Sequence, residues 1–393
     1  MEVKDGLTPP PSFPLGTLSA AEFLRDYWHK KPLLLRNVWP GIENQLPIDA
    51  DELAGLATEA SADSRLISGS FEEQDWKVRY GPFQSADYKR LGEINWTLLV
   101  QDVEKHYPPL KSWLRSFSFL PTWRQDDIMI SFAASGGSVG PHTDQYDVFL
   151  FQASGKRRWQ IAEQYKPELL AHEEVKVLAN FHAEQSWELA PGDLLYLPPG
   201  IAHFGVAMEN CLTYSIGLRA PSKAEMLADL AEWYSRQENQ GGRYGDPDLE
   251  LAADCGEIDA FAVANIGNFL TSTIPTTEQA TLQHWFGQFI SKYRLSGAPA
   301  APAKPVSEAS LNTALDNDQA IYRNPWSRFF WQTINSSTYL YATGTVVECE
   351  PQLASLICQP GDELELDAMQ ITPATKAVLL SLLNSGHLIL DLS

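Results

Sequence analysis

Gly140-Pro141-His142-Thr143-Asp144-Gln145-Tyr146-Asp147-Val148-Phe149 carries a histidine and an aspartate two residues apart. Sixty-one residues after that histidine, Pro198-Pro199-Gly200-Ile201-Ala202-His203 supplies a second imidazole. On an extended segment, positions i and i+2 point to the same side, so His142 and Asp144 face one way. The third residue follows Pro191-Gly192-Asp193-Leu194-Leu195-Tyr196-Leu197, a strand bounded by turn residues, which is expected to present His203 just beyond its end. Two imidazoles and a carboxylate can occupy one face of an octahedral ferrous ion and leave the other positions for an organic acid and dioxygen. The spacing therefore points to mononuclear iron chemistry.

Around this stretch, from about Gly16 to Ala220, short alternating or aromatic runs are punctuated by Gly and Pro, which is how β-rich architecture reads. Strands are expected at Asp127–Phe132, Val148–Gln152, Arg157–Ile161, Leu194–Leu197 and Leu212–Leu218, with helices at Ala20–His29 and Ala50–Ala60. A double-stranded β-helix, or cupin barrel, is what brings an early His-x-Asp and a late histidine together at one mouth. After Pro221, Ser222-Lys223-Ala224-Glu225 opens a helix with a capping box, and Leu227, Leu230, Ala231 and Tyr234 fall on one face. Thr276 with Gln279 opens another, whose stripe is Leu282, Trp285, Phe286, Phe289, Ile290 and Tyr293. That broad aromatic stripe serves either a core or a dimer surface.

Ser296-Gly297-Ala298-Pro299-Ala300-Ala301-Pro302-Ala303-Lys304-Pro305 has nothing to bury and reads as a spacer. The expected organisation is a catalytic β domain over 1–220, a helical dimerisation segment over 221–295, a linker over 296–305 and a C-terminal domain over 306–393. In the last, strands at Thr338–Val347 and His387–Leu392 and helices at Leu353–Cys358 and Ala374–Leu383 suit a small winged-helix-like module with a two-stranded edge.

The chain has 393 residues, 44% of them hydrophobic, and a formal charge of -21. That charge argues against general binding to a nucleic-acid backbone, which draws its free energy from clustered Lys and Arg. From Val306 onward three basic residues stand against ten acidic ones, so the C-terminal module reads as an adapter or packing element rather than a DNA reader. A basic macromolecule is the better partner. No apolar run approaches the ~20 residues of a membrane span, and the start lacks a basic-then-apolar leader, so a cytoplasmic protein is expected. Cys211, Cys255, Cys349 and Cys358 lack the paired spacing of zinc or redox motifs.

Lys156-Arg157-Arg158 offers cations for the organic acid, and strand alternation selects Arg157, which shares a face with Trp159 and Ile161. A guanidinium binds a carboxylate through two parallel hydrogen bonds, which suits the distal end of 2-oxoglutarate.

These motifs, with Asp126-Asp127-Ile128-Met129-Ile130-Ser131-Phe132 and Gly155-Lys156-Arg157-Arg158-Trp159 between the iron-site segments, resemble the JmjC-type 2-oxoglutarate oxygenases. They are most similar to the bacterial ribosomal oxygenases that hydroxylate an arginine of large-subunit ribosomal protein sixteen. The resemblance implies an α+β chain: a JmjC barrel, a helical dimerisation segment giving a homodimer, and a winged helix. It implies His142, Asp144 and His203 as iron ligands, Arg157 as the anchor of 2-oxoglutarate and Met129 as a wall of its pocket. It further implies that Asp127, Tyr146 and Ser215 receive the substrate arginine. The co-substrates would be 2-oxoglutarate and dioxygen.

Other readings stay open within the same residues. The barrel could hydroxylate histidine, or oxidise an N-methyl group and so demethylate. Gly136-Gly137-Ser138-Val139-Gly140 matches the serine-hydrolase nucleophile pattern, but that pattern works only between a strand and a helix, and here Pro141 and an aromatic strand follow. A silent binding module is the remaining class, against which stand all three ligands and Arg157.

Overall fold

The computed structural model describes residues 15–171, 175–236, 245, 260–273, 279–359, 361–366 and 371–390. The chain divides into two compact units. One gathers the residues through Ala220 with two later segments, 322–326 and 360–364, and the other holds the remainder.

The first unit carries helices α1 (Ala20–Asp26), α2 (Ala50–Leu56), α3 (Ser85–Tyr88), α4 (Val103–His106) and α5 (Lys111–Arg115). Its strands are β1 (Leu33–Leu35), β2 (Ser64–Ser68), β3 (Lys77–Tyr80), β4 (Trp96–Val100), β5 (Gln125–Ala133), β6 (His142–Thr143), β7 (Val148–Ser154), β8 (Arg157–Ala162), β9 (Gln185–Leu189), β10 (Leu194–Leu197), β11 (Ala202–Ala207) and β12 (Cys211–Leu218). Eight form a sheet in the order β1-β10-β7-β12-β5-β4-β2-β3, and four form a second in the order β6-β11-β8-β9. Strands β7, β10 and β12 are buried almost throughout. Continuous apolar runs are what a sheet covered on both faces requires. In β7, Phe149 and Phe151 pack outward with Phe23, Trp113 and Phe117, whereas Val148 and Leu150 turn inward beside Trp159 and Ile161.

Helix α1 stops at Asp26, short of the expected His29, because the chain turns at Trp28 and His29, whose φ of 55° is left-handed. Helix α2 likewise stops at Leu56. His203 follows the end of β10 as expected, but within a strand of its own rather than in a loop. Pro198-Pro199-Gly200 makes the turn, with Gly200 at φ 82°, and His203 lies inside the following strand, β11. The later segments dock on α4 and its surroundings: Lys105 sits 5.4 Å from the Trp326 ring centroid, His106 meets the same ring edge-on, and Lys111 pairs with Asp362 at 2.7 Å. Arg323 donates from its backbone N–H to Asp362 and from its guanidinium to the Gly361 and Glu363 carbonyls.

The later elements are α6 (Lys223–Ser235), α7 (Ala260–Thr273), α8 (Gln279–Lys292), α9 (Glu308–Asp316), β13 (Ile321–Arg323), β14 (Phe329–Ile334), β15 (Ser337–Ala342), β16 (Thr345–Glu348), α10 (Pro351–Ile357), α11 (Pro373–Asn384) and β17 (Leu388–Leu390). The capping box at Ser222 is formed, with Glu225 reaching back to the Ser222 N–H at 2.8 Å. The packed face of α6 differs from the expected stripe. Leu227 is 61% exposed, while Leu230 is buried and Trp233 donates to Gln288. The expected strand Thr338–Val347 is a hairpin, turned at Thr343 and Gly344 with φ of 48° and 89°, so β14, β15 and β16 make three strands rather than a two-stranded edge. Positive φ at both central residues is the turn that matches strand twist. Thr276 and residues 391–392 of the other expected elements lie outside the described residues.

Helix α8 buries Trp285, Phe289 and Ile290, with Tyr293 buried just after its end, and packs on β14 and β15. Gly287 is the close approach. A Cβ there would lie 2.4 Å from the Tyr341 ring. Gly287→Ala is therefore expected to destabilise the second unit by about 1–3 kcal/mol through overpacking, read as a lower denaturant midpoint at unchanged slope.

Candidate active site

His142 on β6 and His203 on β11 are directly opposed in an antiparallel pair, so their side chains share one face. Their ring centroids are 4.2 Å apart. Each Nδ1 lies 2.9 Å from a backbone carbonyl, Gly140 for His142 and Ile201 for His203. A neutral imidazole donating from Nδ1 turns its Nε2 lone pair toward the centre. Asp144 brings Oδ2 to 3.6 Å from His203 Nε2 and 4.0 Å from His142 Nε2. Asp144 is itself held by its carbonyl, which accepts from Gly200 N–H in the turn that leads to His203. The three ligand atoms lie within 4.8 Å of one another, the reach of a single ion. Burial, and then the neighbouring His142, push the His203 pKa down to about 4, which keeps it a lone-pair donor.

The triad opens onto a cavity of about 360 Å³ between the two sheets. Arg157, on the inward face of β8 as alternation requires, is 3% exposed and lines it beside Trp159, whose ring centroid is 4.9 Å from the guanidinium carbon. Among the described residues no carboxylate pairs with Arg157. One terminal nitrogen donates to the Gly205 carbonyl at 3.3 Å, and Nε has no partner. Gly205 is required here, since a Cβ would lie 2.8 Å from Arg157 Nε. Leaving a buried guanidinium unpaired costs several kcal/mol, and a ligand carboxylate would offset it.

Met129 and Ser215 are paired neighbours on β5 and β12 and both line the cavity, with Asp127 two residues before Met129 on the same face. Asp127 accepts from the Asp102 N–H at 3.3 Å. Burial raises its pKa well above the ordinary carboxylate range, and Glu104, Asp126 and Asp102 raise it further. Burial also pushes Glu104 up to about 7, although it accepts from Ile128 N–H at 2.9 Å. Lys105 pairs with Asp102 and only partly balances this group. Such a site is relieved by a cation. Tyr146 lines the same cavity and is 37% exposed, open to an incoming side chain.

Ser138 is buried and accepts from Gly140 N–H at 3.1 Å in a loop that no helix follows, so it braces the glycine turn into His142. Sequence reasoning missed the opposite wall. Ile67 on β2, Val78 on β3, and Thr97 and Leu99 on β4 complete the cavity, and only the sheet order brings residues 64–100 alongside β5. Cys211 is buried and Cys349 and Cys358 are half-buried, while Cys255 lies outside the described residues.

Comparison with known proteins puts this barrel in the JmjC class of oxygenases. A JmjC domain model matches residues 112–226 and a ROXA-like winged-helix model matches 272–389. The chain is 36% identical over 378 residues to the ribosomal protein uL16 3-hydroxylase of Escherichia coli, covering 94% of this chain and 97% of that one. It is 39% identical over 237 residues to a probable ribosomal oxygenase of Haemophilus influenzae, covering 58% and 55%. The solved structure of Escherichia coli YcfD superposes with a TM-score of 0.84 at 34% identity, covering 95% and 99%. YcfD in complex with cobalt and 2-oxoglutarate gives 0.81 at 34% identity over the same shares. The chain belongs to the ribosomal oxygenases, iron- and 2-oxoglutarate-dependent enzymes of the JmjC class. No helix among the described residues is long and apolar enough to cross a membrane.

His203 carries a pH signature. Its folded pKa is depressed below the ordinary 6.5, so the unfolded chain takes the proton first and stability is lost as pH falls from about 6.5 toward 4. In metal-free protein, the urea midpoint is expected to drop across that window, and His203→Gln should remove that part of the drop.

Proposed function

We propose that His142, Asp144 and His203 hold the ferrous ion, that Arg157 anchors 2-oxoglutarate, and that the enzyme hydroxylates an arginine side chain of the basic ribosomal protein uL16. The observation that carries this reading is the buried, carboxylate-free guanidinium of Arg157 in the same cavity as the triad. The donor set suits the ion: two imidazoles and one carboxylate with converging ligand atoms. Bound there, iron and 2-oxoglutarate supply the oxidising power, as the oxo acid loses carbon dioxide to become succinate and dioxygen gives one oxygen atom to the substrate C–H bond.

The protein's residues orient and exclude. Arg157 accepts the distal carboxylate as a two-pronged donor, which fixes the co-substrate along the barrel. Met129, Val148, Leu150 and Trp159 give the cavity apolar walls that keep water away. At the mouth, Asp127 receives the guanidinium, Ser215 offers a hydroxyl, and the Tyr146 ring packs against the cation. The acidic surroundings of Asp127 favour a permanent cation over a neutral imidazole, hence arginine rather than histidine.

The chain's dimerisation is part of the same proposal. Helix α7 presents Val263, Ile266 and Leu270 on one side at 45–59% exposure, a face suited to a second copy of this chain. The strong negative charge and the scarcity of basic residues after Val306 fit a basic protein partner in the cytoplasm, with no nucleic acid bound directly.

Incubating the enzyme with uL16 peptides, Fe(II), 2-oxoglutarate and air is expected to add one oxygen atom to an arginine by mass spectrometry; addition at no arginine would remove the reading. His142→Ala should abolish turnover while leaving the fold intact by circular dichroism. Arg157→Ala should raise the KM for 2-oxoglutarate by roughly 10- to 100-fold, for the loss of about 1.5–3 kcal/mol of charged hydrogen bonding. Replacing Ile266 and Leu270 together by Asp should shift the mass measured by light scattering from dimer to monomer.

A further inference from the structure

Asp147 closes the segment that begins at Asp144, and it is 0% exposed. Its carboxylate is gripped from three other parts of the first unit. The Tyr196 hydroxyl on β10 donates to Oδ1 at 2.6 Å. His29, in the turn after α1, places Nε2 2.9 Å from Oδ2, and the Arg124 guanidinium, just ahead of β5, reaches the same oxygen at 3.3 Å. The grip is tied in turn, for the His29 N–H donates to Tyr196 Oη at 3.0 Å and Arg124 lies 5.3 Å from the Trp28 ring centroid. The backbone carbonyl of Asp147 accepts from Leu218 N–H at 3.0 Å. That residue stands where the β12 register shifts, next to Gly217, whose added Cβ would lie 3.0 Å from Asp127 Oδ1.

One buried residue thus joins two walls of the substrate cavity. On one side stands Tyr146, its immediate neighbour, with Asp144 at the far end of the segment. On the other stand Gly217 and Asp127. A second tether, from Gly200 N–H to the Asp144 carbonyl, fixes the other end of the segment. Between these anchors Gln145 and Tyr146 have little freedom. A carboxylate placed only for stability would not need to sit at the seam between the metal-ligand segment and the strand that faces Asp127.

We infer that Asp147, held by His29, Arg124 and Tyr196, is a positioning residue that sets the spacing of Tyr146 and Asp144 from Asp127, and so aligns the substrate side chain with the metal. The inference rests on the proposed roles of Asp144, Tyr146 and Asp127. A displacement of the target carbon by a fraction of an ångström would spare co-substrate binding and spoil the transfer of oxygen.

The test measures the ratio of hydroxylated uL16 peptide to 2-oxoglutarate consumed, with both KM values, in the full-length enzyme. His29→Ala opens the grip from its half-exposed side and is expected to fold. Its coupling ratio should fall at least about threefold and the peptide KM rise by a similar factor, with the 2-oxoglutarate KM unchanged. His29→Gln, which restores a donor toward Oδ2, should recover most of both. Asp147→Asn, which keeps an acceptor for Tyr196, should behave as His29→Ala does. A merely structural node would lower the melting temperature and the active fraction while leaving coupling and both KM values alone, and that result would overturn the inference. His142→Ala, assayed beside them, separates the two claims. Retained turnover there sinks the functional reading, whereas its loss with normal coupling in His29→Ala sinks only the role of Asp147.

Discussion

The pairing of β6 with β11, in which His142 stands directly across from His203, is the constraint on which the site depends. Side chains alternate along a strand, so a slip of one residue would send one imidazole out of the cavity. Strand β6 is only two residues long and cannot fix its own register. The register comes from its surroundings. Gly200 ties its turn to the Asp144 carbonyl, the Ile201 and Gly140 carbonyls hold the two rings, and β8 runs along the other edge of β11 from Ala162 to Arg157. On its other edge, β11 pairs with β8 so that Gly205 stands opposite Trp159, and the missing side chain makes room for Arg157.

Charge is arranged along the cavity as deliberately as shape. A guanidinium without a carboxylate lies buried in one part, and carboxylates in excess of cations gather near Asp127 in another. Either group alone would be a defect, since a buried charge is tolerated only when something neutralises it. Together they leave one part of the cavity suited to a ligand carboxylate and another suited to a cation.

Much of this was legible from local spacing. The His-x-Asp step, the Pro-Gly strand before His203 and the alternation that turns Arg157 inward all depend on neighbours within a few residues, where strand geometry is decisive. The strands of the barrel core, which are buried along nearly their whole length, were equally plain. What escaped was set at long range. The packed face of α6 runs through Leu230 and Trp233 rather than Leu227 because Gln288 and Trp285 of α8 meet it there, and no periodicity within α6 could say so. The turn at Thr343 and Gly344 broke an apparently continuous strand, a case of backbone conformation overriding composition. Strand β14 and the wall from β2 to β4 carried no motif, and their place follows only from sheet order. Asp147 was invisible as a buried node because its partners are distributed over residues 29, 124 and 196.

The segments 322–326 and 360–364 belong to the same compact unit as the barrel, although most of the chain between and around them does not. Through Trp326 against Lys105 and His106, they brace the short helix whose Glu104 and neighbouring Asp102 hold the strand bearing Asp127. During synthesis, therefore, the barrel strands leave the ribosome long before the last pieces of their own packing. A nascent chain released as far as Ala220 could pair its sheets, but the support behind Asp127 arrives only when nearly the whole polypeptide has emerged. The Asp127 end of the cavity is thus finished last, and a prematurely ended chain would lack that support even with His142, Asp144 and His203 in place.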